Sequence, residues 1–205
     1  QDLAHSLKTP LAVLQSAAEG EEGTARLAQV LKEQVGRMNV IVQHQLARAA
    51  GSGRSTLAQR VPLAPVLAKL QRSLDKVYAE AGRQVALEVP ESLAFQGDEA
   101  DLMEVLGNVL DNAYKHAEGR VRVLAQRSES GKGMIGLSIS IDDDGPGIPE
   151  ELRERVLRRG ERGDQNLPGQ GLGLTLADEI LRLYGGRLEI GRSDLGGARI
   201  DLFFP

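Results

Sequence analysis

The chain has 205 residues and a formal net charge of −4. With 41% apolar residues, it can form the hydrophobic core of one domain of ordinary size and a smaller element. It has no cysteine, which excludes disulfide frameworks, zinc-thiolate sites and thiol nucleophiles. The negative charge and the 3% aromatic content provide neither a basic nor a stacking surface, so we expect no nucleic-acid partner. No apolar run approaches the roughly 18 residues that cross a bilayer.

Residues 1–50 predict a helical hairpin. Leu3, Leu7, Leu11 and Leu14 recur at the three- and four-residue spacings of an amphipathic helix. A Gly-Glu-Glu-Gly interruption then precedes a second apolar helix pattern. Because two helices of this length cannot enclose a core alone, we expect two copies to form a four-helix bundle, which makes the protein a homodimer.

After the hairpin, residues 51–58 predict a flexible linker, because they are rich in glycine and serine. Residues 59–205 predict a second domain with mixed secondary structure. Its expected elements are helices at 63–82, 98–117 and 171–185, and strands at 84–89, 93–96, 120–127, 135–142, 187–192 and 198–204. This mixture predicts an α+β sandwich in which helices cover one face of a mixed sheet.

His5 is the first candidate for chemistry. It lies beside the apolar seam of the first helix, where a neutral imidazole is exposed and nucleophilic near neutral pH. Thr9 lies one helical turn further on the same face, and Pro10 removes an amide hydrogen and bends the helix. A lone histidine near a terminus is more often an ordinary surface residue, so its assignment depends on the rest of the chain.

A second candidate is the polar face of the helix predicted at 98–117. Asn108, Asn112 and Lys115 follow one another at spacings of four and three, so two amide oxygens and one ammonium share a face. Amide oxygens suit Mg²⁺ that also binds nucleotide phosphates, and a lysine neutralises those phosphates. Taken alone, this face is also typical of a solvated helix surface.

The loop that follows the strand ending near Ile141 is the third candidate. Asp143, Gly145 and Gly147 form an Asp-x-Gly-x-Gly pattern, in which the glycines allow close approach to a flat ring and the carboxylate accepts a hydrogen bond from an adenine amine. We expect the neighbouring Asp142 and Asp144 to be solvated. By itself an acidic glycine-containing turn is more often only a turn.

A second glycine-rich segment directly precedes the helix predicted at 171–185. Gly169, Gly171, Leu172 and Gly173 present backbone amides at a helix N-terminus, which predicts a phosphate-binding loop. Gln170 offers another side-chain oxygen for a metal ion. One glycine triplet is weak evidence, and its weight comes from its order and spacing with the other motifs.

The residues 5–10, His-Ser-Leu-Lys-Thr-Pro, resemble the H-box of the HisKA sensor histidine kinases, and the other motifs resemble that family's asparagine box and two glycine boxes. The resemblance implies a Bergerat-type ATP-binding fold, shared with gyrase and Hsp90. It also implies that His5 is autophosphorylated from ATP·Mg²⁺ and donates the phosphoryl group to an aspartate of a response regulator. Thr9 would position water for the reverse, phosphatase reaction.

The same resemblance assigns roles within the nucleotide site. It implies that Asn108 and Asn112 bind the metal, that Lys115 and His116 contact phosphate or ribose, and that Asp143 binds adenine. Residues 156–164 resemble the start of the family's ATP lid, with Arg162 facing phosphate. The detailed runs around these motifs are most like the PhoQ-type sensor kinases.

The chain departs from the family pattern at three positions. Ser6 stands where most members have an acidic residue, which affects how His5 is oriented. Leu157 and Gly160 replace the phenylalanines at the start of the lid.

The chain begins with Gln1 rather than Met, so we expect an upstream segment that anchors the protein in the inner (plasma) membrane, with this part in the cytoplasm.

Two other functions remain open on the sequence. One is another ATPase of the superfamily, in which ATP hydrolysis drives dimer clamping and no acceptor histidine is needed. The other is a non-catalytic nucleotide-sensing scaffold, which docks a response regulator and promotes its dephosphorylation through Thr9. ATP hydrolysis that survives loss of His5 would favour the first, and an ATP-independent effect through Thr9 would favour the second.

Overall fold

The computed structural model describes residues 10–15, 17, 27, 31, 34, 35, 38, 59–129, 135–158 and 172–205. The described positions of the predicted hairpin are all helical. His5, Thr9, Arg162, Gly169, Gln170 and Gly171 lie outside the described residues, so the expectations for them stay predictions. None of the helices among the described residues has the length and apolar character of a membrane span.

Ala58–Arg158 and Gly173–Pro205 form one compact unit, and the rest of the chain is grouped in another. The strands of the first unit are β1 (Arg60–Pro62), β2 (Gln84–Glu88), β3 (Ala94–Gln96), β4 (Arg120–Glu129), β5 (Ile135–Asp143), β6 (Arg187–Arg192) and β7 (Ala198–Phe204). The helices are α1 (Leu63–Val77), α2 (Glu99–His116), α3 (Glu150–Arg158) and α4, which spans Leu172–Leu183.

Five of these strands form one mixed sheet in the order β2-β4-β5-β7-β6. Only β2 and β4 run parallel among its described pairs, and β1 pairs with β3 in a separate two-stranded ribbon. In β7 every second side chain is buried, from Ala198 to Phe204, as expected for a strand with one face on the core. The opposite face of β5 and β7 carries Ser140, Asp142 and Asp201.

Helix α2 joins the core to the site. It begins after Asp98, whose Oδ1 accepts hydrogen bonds from the amides of Ala100 at 2.7 Å and Asp101 at 3.4 Å. Seven of its residues are buried, and the helix packs against both α1 and β5. Its C-terminal end at His116 therefore lies near the end of the central strand β5.

The predicted element positions agree with the described structure to within two residues, with three exceptions. Helix α1 ends at Val77 instead of continuing to residue 82, because the chain turns through a 3-10 segment, Ala79–Ala81, to Gly82 in the left-handed region at φ +57°. Helix α3 was not predicted, since its few apolar residues are separated by arginine and glutamate. Strand β1 was also missed, because three residues ending in proline have no readable alternation.

Candidate functional site

Asp143 ends the central strand β5 and is 3% exposed. Its Oδ1 accepts hydrogen bonds from the backbone amides of Gly145 at 2.9 Å and Ala198 at 3.1 Å. Burial raises the pKa of this carboxyl, and the two amide hydrogen bonds oppose that rise without cancelling it. Because Oδ1 is engaged by the protein's own backbone, the carboxyl group has a defined orientation.

Glycines allow three segments to meet around Asp143. A Cβ at Gly145 would overlap the carbonyl oxygen of His116, so the loop lies directly on the last turn of α2. Gly147 has φ +77° and lies against the carbonyl of Gly197, where a Cβ would be 3.2 Å from the oxygen. The predicted Asp-x-Gly-x-Gly loop is therefore packed between α2 and the turn that joins β6 to β7.

The β6–β7 turn is a part of the site that the sequence reasoning did not assign. The amide of Gly197 donates to the carbonyl of Asp143 at 3.1 Å, and a Cβ at Gly197 would lie 2.5 Å from the amide nitrogen of Gly145. With the amide of Ala198 on the carboxyl, this turn holds both the backbone and the side chain of Asp143. The adjacent glycines at 196–197 were the available signal.

The structure corrects the expectation that Asp144 is solvated. Its Oδ1 accepts hydrogen bonds from the backbone amides of Glu118, Gly119 and Arg120, each at 2.9 Å. Burial opposes its ionisation, but these amides together with the Arg120 side chain outweigh burial and lower the pKa of Asp144 to about 2. Asp144 thus ties the loop after β5 to the connection between α2 and β4.

Asp142 also differs from the expectation, because it is 1% exposed and lies on the face of the sheet opposite the helices. Its Oδ2 accepts a hydrogen bond from Nη2 of Arg122 at 3.0 Å. The alternation of β5 places Asp142 and Asp143 on opposite faces, so only Asp143 can face a ligand held against α2. Asp142 and Asp144 are structural residues of the loop.

The asparagine face of α2 meets the start of α4. Nδ2 of Asn108 donates to the carbonyl of Glu104 at 2.8 Å, which leaves Oδ1 directed away from its own helix. A Cβ at Gly173 would lie 3.0 Å from that Oδ1, so the last glycine of the second glycine segment packs against the asparagine. The structure therefore brings Asn108 and Gly173, 65 positions apart in the sequence, into contact.

The remaining predicted residues of α2 follow from helix geometry. Asn112 is half-buried one turn beyond Asn108, Lys115 is exposed in the last turn, and His116 is half-buried at the end beside Gly145. The described residues contain no group of three or more His, Cys, Asp or Glu side chains arranged to hold a metal ion. Amide oxygens are the oxygen ligands that this face of α2 offers.

A buried carboxyl between glycine turns, an asparagine-bearing helix and a helix N-terminus are the features expected above for an ATP-binding site. Residues 97–205 match the family described as histidine kinase-, DNA gyrase B- and HSP90-like ATPase, and the chain belongs to this family. The predicted Bergerat-type ATP-binding fold is thereby confirmed.

Within the family, the chain is 41% identical over 208 residues to the sensor protein PhoQ of Escherichia coli strain K12, covering 99% of this chain and 42% of that protein. The chain thus spans about two fifths of such relatives. Among solved structures, it is similar to the mycobacterial sensor histidine kinase MprB, with a TM-score of 0.58, 27% identity and coverage of 72% of this chain and 97% of that one.

A further similar structure is the ATP-binding domain of PrrB from Mycobacterium tuberculosis, with a TM-score of 0.57, 30% identity and coverage of 72% of this chain and 96% of that one. The predicted resemblance to PhoQ-type sensor kinases is confirmed by these relatives.

Proposed function

We propose that this chain is the kinase portion of a membrane-anchored sensor histidine kinase, which transfers the γ-phosphoryl group of ATP to His5 and then to an aspartate of a response regulator. The observation that supports this most directly is the arrangement of Asp143. One carboxyl oxygen is held by two backbone amides, and we assign the other to accept a hydrogen bond from the adenine amine.

The described residues fit a nucleotide with Mg²⁺. The hydrogen bond from Nδ2 of Asn108 to Glu104 sets the amide so that its oxygen is presented, and Asn112 repeats the same type of side chain one turn later. Bound Mg²⁺ would neutralise the phosphate charge and hold the phosphates in place. We assign Asn108 and Asn112 to it, with Gln170 as a further ligand.

The phosphate end of the site is assigned to groups with matching charge. Lys115 lies in the last turn of α2 next to the asparagines and would neutralise phosphate, with His116 contacting phosphate or ribose. The backbone amides at the start of α4, from Gly169 through Gly173, would bind phosphate oxygens. Arg162, in the segment that resembles the start of the ATP lid, is also assigned to neutralise the phosphate charge.

In the proposed reaction, the neutral imidazole of His5 attacks the γ-phosphorus of ATP. The new bond joins phosphorus to the distal ring nitrogen, the bond to the bridging oxygen breaks, and ADP leaves with the electron pair. Catalysis then consists mostly of positioning and charge neutralisation, because phosphoryl transfer needs little covalent help from the protein. Thr9 would orient water for hydrolysis of the phosphorylated response regulator.

We also propose that a second copy of the chain completes the helical hairpin. Leu11, Leu31 and Val35 are exposed apolar side chains on the described helical positions of the single chain. Burial of such side chains between two hairpins stabilises a four-helix bundle. The full-length protein would be anchored in the membrane by a segment outside this chain. The chain covers only 42% of the length of the PhoQ relative.

The test is phosphorylation with γ-labelled ATP and Mg²⁺, followed by the stability of the label to acid and alkali. We expect an acid-labile, alkali-stable label that is lost in His5→Gln although this variant still binds nucleotide. Asn112→Ala should lose both label and nucleotide affinity. Label that persists in His5→Gln would refute the acceptor, and ATP hydrolysis independent of His5 would instead indicate a superfamily ATPase.

A further inference from the structure

Arg122 links two parts of the chain that both adjoin the nucleotide site. Its Nη2 donates to Oδ2 of Asp142 at 3.0 Å and to Oδ1 of Asp194 at 2.5 Å. Asp142 directly precedes Asp143 in β5, and Asp194 belongs to the turn 193–197 between β6 and β7. A single guanidinium therefore bridges the end of β5 and this turn, on the face of the sheet opposite the helices.

The turn 193–197 is well defined by its own hydrogen bonds. The amide of Ser193 donates to Gly197 at 2.9 Å, the amide of Gly196 donates to Ser193 at 3.1 Å, and the amide of Leu195 donates to the Ser193 hydroxyl at 3.0 Å. These bonds link the segment that carries Asp194 to Gly197, whose amide holds the carbonyl of Asp143. The next residue, Ala198, donates its amide to the Asp143 carboxyl group.

The two aspartates that Arg122 joins differ in burial. Asp142 is 1% exposed, and its Oδ1 has no hydrogen-bond partner among the described residues, while Nη1 of Arg199 lies 3.9 Å from it. Arg122 is thus fixed by a buried charge on one side. On the other side, Asp194 is 69% exposed and can be changed without opening the core.

We infer that Arg122 and Asp194 are positioning residues for adenine recognition: through the turn 193–197 they set the amide of Gly197, which holds the Asp143 backbone, and the adjacent amide of Ala198, which orients the Asp143 carboxyl group. This inference rests on the proposed nucleotide site. It assigns a function to an ion pair that lies outside that site, on the far face of the sheet.

The test is Asp194→Asn, measured by equilibrium binding of ATP and of inosine triphosphate, whose base has no exocyclic amine. We expect the dissociation constant for ATP to rise by about threefold to fivefold, the range that loss of an exposed ion pair allows. The dissociation constant for inosine triphosphate should change less, so the preference for ATP falls. Removal of a negative charge would by itself lower the dissociation constant for an anionic ligand such as ATP. The expected rise is therefore opposite to the change that general electrostatics would cause.

The matched control is Glu189→Gln, the same carboxyl-to-amide change on the same hairpin. Glu189 is 55% exposed and paired with Arg187 at 2.6 Å, and within the described part of the chain neither side chain has a hydrogen bond to Asp143 or to the turn 193–197. We expect its nucleotide preference to equal that of the wild type. Both variants should keep the wild-type unfolding temperature, because both carboxylates are exposed.

Each outcome is decisive. An unchanged preference in Asp194→Asn, an equal loss for both nucleotides, or an equal effect in Glu189→Gln would overturn the positioning role and leave the proposed function intact. A wild-type chain that binds ATP but does not discriminate it from inosine triphosphate would refute adenine recognition by Asp143 and remove the basis of the inference. A chain that binds neither nucleotide would refute the proposed function.

Discussion

Gly197→Ala tests the arrangement around Asp143 with a single methyl group. The added Cβ would lie 2.5 Å from the amide nitrogen of Gly145 and 2.7 Å from the carbonyl oxygen of Asp143, and it would overlap Oδ1 of the same residue. Two of these atoms belong to backbone that is itself hydrogen-bonded. Rotation of the Asp143 side chain would relieve only the overlap with Oδ1, so the backbone of the turn or of the loop after β5 must move as well.

The expected magnitude follows from these contacts. Overpacking at such a position costs about 1–3 kcal/mol of folding free energy. Loss of one amide hydrogen bond to the Asp143 carboxylate removes about 1.5–3 kcal/mol from the interactions that orient it. Since about 1.4 kcal/mol corresponds to a factor of ten in affinity, we expect the dissociation constant for ATP to rise at least about tenfold.

Gly191→Ala is the matched control for this change. Gly191 lies in β6 of the same hairpin, and a Cβ there would have its nearest neighbours, Cβ and the carbonyl oxygen of Arg199, at 3.9 Å. Without overlap, alanine should leave stability unchanged or raise it by about 0.5 kcal/mol. Both variants would be measured by titration with a fluorescent ATP analogue and by thermal unfolding. Wild-type affinity in Gly197→Ala, or equal losses in the two variants, would refute the reasoning.

Two further predictions concern the aspartates of the loop. Asp143→Asn should bind ATP at least about tenfold more weakly, because it replaces a hydrogen-bond acceptor facing the adenine amine by a donor. Burial raises the pKa of Asp143, so keeping this carboxyl ionised at pH 7 lowers the stability of the folded state. The variant should therefore unfold at a higher temperature than the wild type at pH 7, and this difference should disappear as the pH falls. A lower unfolding temperature of the variant at pH 7 would contradict this. Asp144→Ala should lose about 2 kcal/mol of stability at pH 7 with its three amide hydrogen bonds. The contribution of ionised Asp144 to stability is present above the unfolded pKa of about 4 and is lost as the pH falls towards the folded pKa of about 2. The unfolding free energies of wild type and variant, measured by chemical denaturation, should therefore converge near that pH. A constant difference at every pH would show that ionisation of Asp144 does not contribute.

Strands and long helices were predictable because their pattern is local. Strands β6 and β7 were predicted with the bounds that the structure shows, since alternation and the glycines between them mark both ends. Helix α2 was predicted to within one residue at each end. Helix α3 was missed because its stability depends on packing that a charged sequence does not reveal.

Residue types and spacing predicted where the candidate residues of the nucleotide site lie, and their chemical roles stay proposals. Asn108 and Asn112 share a helix face by helical geometry alone, and Asp143 was singled out by its glycines. What local pattern could not provide was the use of the two aspartates beside Asp143. Asp142 and Asp144 were both expected to be solvated, and their partners lie on segments that are distant in the chain.

The sequence by itself determined where the longer helices and most strands of the described domain begin, which helix face is polar, and which carboxyl lies beside glycines, because each depends on neighbours within a few positions. The tertiary structure decided how the aspartates are used. Strand register places Asp142 beside Arg122, the connection from α2 to β4 supplies the amides that bind Asp144, and the β6–β7 turn supplies the amide of Ala198 to Asp143. These partners lie 20 or more positions away in the chain, so only the packing of the sheet brings them together.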